Sequence, residues 1–124
     1  MTLHKTKRAV VLFAHGSRDP LWHKPMEAVA AHLAQSEPDL SVRCAYLELS
    51  QPDLATACLE LVEASIESIA VIPMFLGVGR HAREDLPLLV DQLRVQHPQV
   101  AFELKPAVGE DLRLIQLLAR IAAE

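Results

Sequence analysis

The chain has 124 residues, 51% apolar and 23% charged, with a formal net charge of −4 at pH 7. That length fits one folded unit over residues 1–124 and leaves no room for a second full core. The balance of residue types sets aside disordered and fibrous classes. An acidic chain lacks the clustered Lys and Arg that a broad nucleic-acid surface needs to replace phosphate counterions. The longest apolar run near the N-terminus, Ala9 to Ala14, is too short for a membrane span and has no cleavage-like flank. Neither a nucleic acid nor a membrane is therefore expected as a partner, and the cytoplasm is the expected location. Cys44 and Cys58 form no Cys-x-x-Cys motif and sit in apolar patterns, which favours buried thiols over a disulfide or a zinc site.

Read in chain order, one pattern recurs four times: a short apolar or alternating run followed by apolar residues at helical spacing. The first strand is Ala9 to Ala14. Its helix ends near Ser36 with Met26, Val29, Ala30 and Leu33 as the inner stripe, and Pro38 prevents its continuation. The second strand is about Val42 to Leu47. Ser50-Gln-Pro-Asp then reads as a helix start in which Ser50 caps, Pro52 fits the first turn and Asp53 favours the positive end of the dipole. Leu54, Cys58, Leu61 and Ser65 give that helix its inner face. The third strand is Ser68 to Phe75, followed by a helix carrying Leu86, Leu89, Val90 and Leu93. Pro87 requires either a place near that helix's first turn or a kink. The fourth strand is about Val100 to Leu104, and the last helix carries Leu112, Ile115, Leu118, Ala119 and Ala122.

Strands apolar on both faces, alternating with helices, imply an open α/β fold: a parallel sheet covered on both sides, with ligands held beyond the strands' carboxyl ends. The four glycines, Gly16, Gly77, Gly79 and Gly109, all follow strands, and none follows a helix. His15 comes directly after strand one, Glu48 after strand two and His81 after strand three. Right-handed crossovers bring these loops to one edge. Two imidazoles and a carboxylate there suit a divalent first-row metal and can also accept protons near neutral pH. Taken singly, each has a blander role: His15 bonded to a nearby carbonyl, Glu48 capping a helix or pairing with Arg43, His81 in solvent. His4, His23, His32 and His97 read as surface or structural, and Trp22 and Met26 as packing. Arg18, Arg80 and Arg83 flank the same loops and fit the carboxylates of a polyanionic small molecule, although Asp19, Glu84 and Asp85 stand ready to pair with them.

"LFAHGSRDP", "AYLELSQPDL" and "IPMFLGVGRHAREDLP" together resemble the short, CbiX-type sirohydrochlorin chelatases of the class II tetrapyrrole chelatase group. The resemblance spans nearly the whole chain and implies a four-stranded parallel sheet of order 2-1-3-4 with helices on both faces. It also implies ATP-independent insertion of Co2+ into sirohydrochlorin in anaerobic cobalamin biosynthesis, by a homodimer with no cofactor beyond the substrate metal. On that reading His15 and His81 bind the metal and accept protons, and Glu48 is a third ligand or a base. Arg18, Arg80 and the backbone around Gly77 and Gly79 then meet the macrocycle's carboxylates. The chain departs from the family pattern at Arg80, where members often have glycine, which touches the substrate contacts more than the metal.

Rival readings remain. Insertion of Fe2+ or Ni2+ would use the same ligands. A non-catalytic carrier of metal or tetrapyrrole would bind the same partners without turnover. A phosphate-handling enzyme of the histidine phosphatase kind is weakened because Ala14 stands where that chemistry needs arginine before the histidine.

Overall fold

The computed structural model describes residues 6–124, so His4 lies outside it. Apolar and β-branched runs form strands β1 (Arg8–Ala14), β2 (Ser41–Tyr46), β3 (Ser68–Pro73) and β4 (Ala101–Leu104). Between them lie helices α1 (Lys24–Ser36), α2 (Leu54–Glu63) and α3 (Arg80–Gln96), with α4 (Leu112–Ala123) last. Short 3-10 turns at Pro20–His23 and Val108–Glu110 lead into α1 and α4. All strand pairs are parallel in the order β2-β1-β3-β4, with Leu12 of β1 between Cys44 and Ile72. The sheet order matches the expectation.

Side chains alternate across a strand, so β1 splits its apolar residues between two cores. Ala9, Val11 and Phe13, with Ile69 and Val71 of β3, face α2 and α3, which bring Leu54, Ala57, Cys58, Leu61, Leu86, Val90 and Leu93 onto them. Leu61, Val11, Ile69, Val71 and Val90 are wholly buried, each contributing about 1.5–3 kcal/mol by leaving water. The opposite face is thinner: Leu12, Ala14, Met26 and Tyr46 are buried, while Val10, Val42, Cys44, Ile72 and Met74 are only partly covered. There α1 lies over β1 and β2, and α4 adds no buried residue at all. Of the α1 stripe only Met26 is buried, and Val29 is exposed.

Several boundaries move for identifiable reasons. Asp53, not Ser50, caps α2: its carboxylate accepts from the Thr56 N–H at 2.8 Å, and Pro52 stays outside the helix. Pro87 is neither at the first turn nor a terminator. It is the eighth residue of α3, which runs on through it because Leu86, Val90 and Leu93 anchor both sides in the core. β3 stops at Pro73, yet Phe75 remains buried, its ring edge-on to Phe13 at 6.1 Å. Beyond α2, Ser65 is exposed rather than part of the inner face and takes the left-handed backbone, φ 66, that glycine usually supplies after a helix. Both cysteines are free thiols; Cys58 is buried as expected, whereas Cys44 is only partly so, and burial raises each thiol's pKa, that of Cys58 to about 12. Among the described residues no helix is long and apolar enough to cross a membrane.

Candidate functional site at the carboxyl edge of the sheet

The loops after β1 and β2 are laced together. The Leu47 N–H donates to the Ala14 carbonyl at 2.8 Å and the Glu48 N–H to the His15 carbonyl at 3.0 Å. Between them Gly16 has φ +103, and a Cβ there would lie 1.7 Å from the Glu48 carbonyl oxygen. Only glycine permits so close an approach in that conformation. The Ser17 N–H donates to Ser50 Oγ at 2.9 Å, and Ser50 Oγ donates back to the Ser17 carbonyl at 2.8 Å. His23 Nε2 lies 3.1 Å from that carbonyl and 3.0 Å from Ser50 Oγ, with its ring stacked on Tyr46. His23 is thus structural, as expected, and it holds the His15 loop to the Glu48 loop. Ser50, expected to cap a helix, is the centre of this clamp. Leu49, next to Glu48, is held left-handed at φ 63, a costly conformation for a bulky residue.

His15 is exposed, and its ring rests on the buried Phe75 ring with centroids 4.3 Å apart. That platform orients the imidazole. Among the described residues its nitrogens make no hydrogen bond, so the blander role of bonding to a carbonyl is not realised. Glu48 is exposed beside it, capping no helix, and Arg43 turns instead to the Val42 carbonyl.

The loop after β3 stays alongside β1, where the Met74 N–H donates to the Phe13 carbonyl at 2.7 Å. Gly79 then forms the N-cap of α3, and His81, also exposed, is the helix's second residue. A Cβ at Gly77 or Gly79 would meet nothing within 4 Å, so this stretch of backbone lies open. Arg80 shares its charge with Glu84 at 3.2 Å in an exposed pair, a contact worth under about 1 kcal/mol and easily exchanged. Arg18 makes no ion pair among the described residues. Arg83 instead lines a cavity of about 150 Å3 between α3 and the chain after β4, with Val78, Pro87 and Glu110.

His15 and Glu48, on the loops after β1 and β2, and His81, in the first turn of α3 after the β3 loop, therefore lie beyond the same edge of the sheet. Among the described residues, however, no three His, Cys, Asp or Glu side chains are grouped to hold one ion. The sequence reading also missed an apolar rim. Leu21 and Trp22 after β1, Leu47 and Leu49 after β2, and Leu76 after β3 are all exposed at this edge. Trp22, expected to be packing, touches His23 and Tyr46 but keeps about a third of its surface open. Met26 is packing. The available signal was the apolar residues at and beyond the strand ends, Leu47 and Leu49 in "YLELS" and Leu76 in "FLG", of which only Leu47 falls inside an expected strand.

A 2-1-3-4 parallel sheet with polar groups gathered where the connections of β1 and β3 diverge defines an open α/β ligand-binding domain. Within that class the chain belongs to the CbiX family, whose model matches residues 9–124. It is 32% identical over 82 residues to the sirohydrochlorin cobaltochelatase of Methanopyrus kandleri, covering 66% of this chain and 57% of that protein. For the sirohydrochlorin cobaltochelatase of Methanococcoides burtonii the identity is 28% over 81 residues, 65% of this chain and 62% of the relative. The matched segment thus spans less than two thirds of either relative. The solved CbiX protein of Marinobacter aquaeolei VT8 superposes with a TM-score of 0.81 at 30% identity, over 94% of each chain. The sirohydrochlorin chelatase SirB of Bacillus subtilis subspecies spizizenii, solved with cobalt, shares the fold with a TM-score of 0.80 at 21% identity. That match covers 95% of this chain and 50% of the SirB chain.

Proposed function

We propose that this chain inserts Co2+ into sirohydrochlorin without ATP, in anaerobic cobalamin biosynthesis, acting in the cytoplasm as a homodimer of single CbiX-type domains. The observation that carries the reading is the pair of exposed imidazoles, His15 after β1 and His81 at the start of α3 after the neighbouring β3, neither hydrogen-bonded among the described residues. Family membership and the names of the curated relatives support sirohydrochlorin as the substrate. The rim gives the reason a tetrapyrrole fits: exposed Leu21, Trp22, Leu47, Leu49 and Leu76 offer an apolar surface to a flat macrocycle. Arg18, Arg80 and the open backbone at Gly77 and Gly79 meet its peripheral carboxylates.

Metal insertion removes two protons from pyrrole nitrogens while the entering ion sheds water. Imidazole serves both needs, as a ligand for borderline cations and a base near neutral pH. His15 and His81 receive the substrate ion and take up the protons. Glu48, tied to the His15 backbone, serves as a base at the same edge. A small donor set of two imidazoles, with Glu48 as a third ligand or a base, suits an ion that is to be passed on.

The test mixes purified protein with sirohydrochlorin and Co2+, Fe2+ or Ni2+ and follows the absorbance change on insertion. Co2+ is expected to give the largest acceleration, and His15→Ala and His81→Ala to abolish it with unchanged circular dichroism. Rates equal to the protein-free control for every metal would leave a carrier in place of an enzyme. Full activity in either variant would remove that histidine from the mechanism.

A further inference from the structure

We propose that Leu49 is a specificity-determining residue whose side chain, held out of the core by a strained backbone, meets the face of the tetrapyrrole. This rests on the substrate proposed above and adds to it one side chain that sets affinity for the macrocycle at a cost to the stability of the fold.

The left-handed conformation of Leu49, φ 63, is imposed by what stands on either side of it. Before it, the Glu48 N–H donates to the His15 carbonyl at 3.0 Å, and a Cβ on Gly16 would lie 1.7 Å from the Glu48 carbonyl oxygen. After it, Ser50 Oγ accepts from the Ser17 N–H at 2.9 Å and donates to the Ser17 carbonyl at 2.8 Å, with His23 Nε2 3.0 Å from the same oxygen. Both neighbours are thus fixed to the loop after β1, and the one residue between them has to make the turn.

The turn accounts for the conformation but not for the leucine. In the left-handed region a Cβ crowds the following carbonyl oxygen, and glycine or asparagine takes that region with far less strain. The other non-glycine residue at positive φ among the described residues, Ser65 at φ 66, is small and polar. Leu49 is neither, and the core gains nothing from it, since the residue is 54% exposed. Strain that the packing does not need is expected where the chain meets a ligand.

Position selects the ligand. Leu49 adjoins Glu48, and its loop is laced to the loop that carries His15, so a macrocycle presenting its pyrrole nitrogens to that imidazole lies over it. Leu47 and Trp22, the chain's single tryptophan, are open at the same edge. An aliphatic side chain and the apolar face of a flat ring both leave water when they meet, while the carboxylates at the ring's periphery stay clear of the leucine. Because the backbone is fixed on both sides, little freedom is lost when the ring binds, which favours affinity.

Titration of the full chain with sirohydrochlorin, read by quenching of Trp22 fluorescence, tests this alongside urea unfolding and the insertion assay. Leu49→Gly and Leu49→Asn remove the side chain and relieve the turn. Each should unfold at a urea midpoint no lower than that of the parent protein, because relief of strain outweighs the added freedom of the unfolded chain. Each should also bind sirohydrochlorin about tenfold or more weakly, as loss of a covered leucine implies, and raise KM for the macrocycle by more than it lowers kcat. Leu49→Met, which restores an apolar side chain, should recover most of the lost affinity. Leu59→Asn, at a leucine 45% exposed on α2 outside these loops, should bind like the parent. Unchanged affinity in both Leu49→Gly and Leu49→Asn, with a parent that binds the macrocycle, would overturn the proposal and leave the proposed function standing. A clear loss of stability in Leu49→Gly would show that the leucine serves the fold, and a changed mass of Leu49→Asn in light scattering would place it between copies of the chain; either would overturn the proposal. A parent that neither binds nor metallates sirohydrochlorin would overturn the function itself, and this inference with it.

Discussion

Replacing Gly16 with alanine tests the lacing of the two loops that carry His15 and Glu48. The new Cβ would start 1.7 Å from the Glu48 carbonyl oxygen, so the β2–α2 loop has to retreat by about 2 Å to restore ordinary contact. That movement breaks the Glu48 N–H bond to the His15 carbonyl and strains the Ser17–Ser50 pair. Each lost hydrogen bond costs about 1 kcal/mol. A side chain at φ +103 adds about 1–2 kcal/mol. Urea unfolding followed by circular dichroism should therefore show Gly16→Ala destabilised by about 3–4 kcal/mol, with the proposed metal insertion lost because the loops that carry His15 and Glu48 are no longer held together. Gly77→Ala is the control: its Cβ meets nothing, so stability should change by less than about 0.5 kcal/mol. Equal stability of Gly16→Ala and the parent protein would refute the lacing.

Leu61 is wholly buried against β1 and β3, so Leu61→Ala should cost about 2–5 kcal/mol in urea unfolding; a loss below 1 kcal/mol would mean this core is not the tightly packed one. Asp53→Ala removes the α2 cap and should cost about 1 kcal/mol at pH 7. Hydrogen bonds from Thr56 hold the Asp53 carboxyl below its ordinary value of 3.8. The cap's contribution is therefore complete above pH 3.8 and fades as pH falls through the depressed pKa, so a parent–variant gap that widened on acidification would contradict the assignment. With its pKa pushed up to about 12 by burial, Cys58 in a Cys44→Ala background should resist a thiol reagent at pH 8 until denaturant is added. Stoichiometric labelling of the native variant would show that the site opens.

What the sequence determined by itself was whatever depends on local periodicity and chain order: four strand–helix units, a parallel sheet, and His15, Glu48 and His81 brought to one edge by the fixed hand of the crossovers. The clamp of His23, Ser17 and Ser50 was not legible, because it joins residues 33 positions apart whose side chains show no pattern in sequence. Nor was the apolar rim, since an exposed Leu76 and a buried Phe75 are neighbours in the same run. The stripe on α4 was plain in the sequence, but its lack of a partner was not. Periodicity marks which face of a helix wants to leave water; only the tertiary structure, through the turn at Gly109 that lies against the Leu76 carbonyl, decides whether its own sheet is within reach.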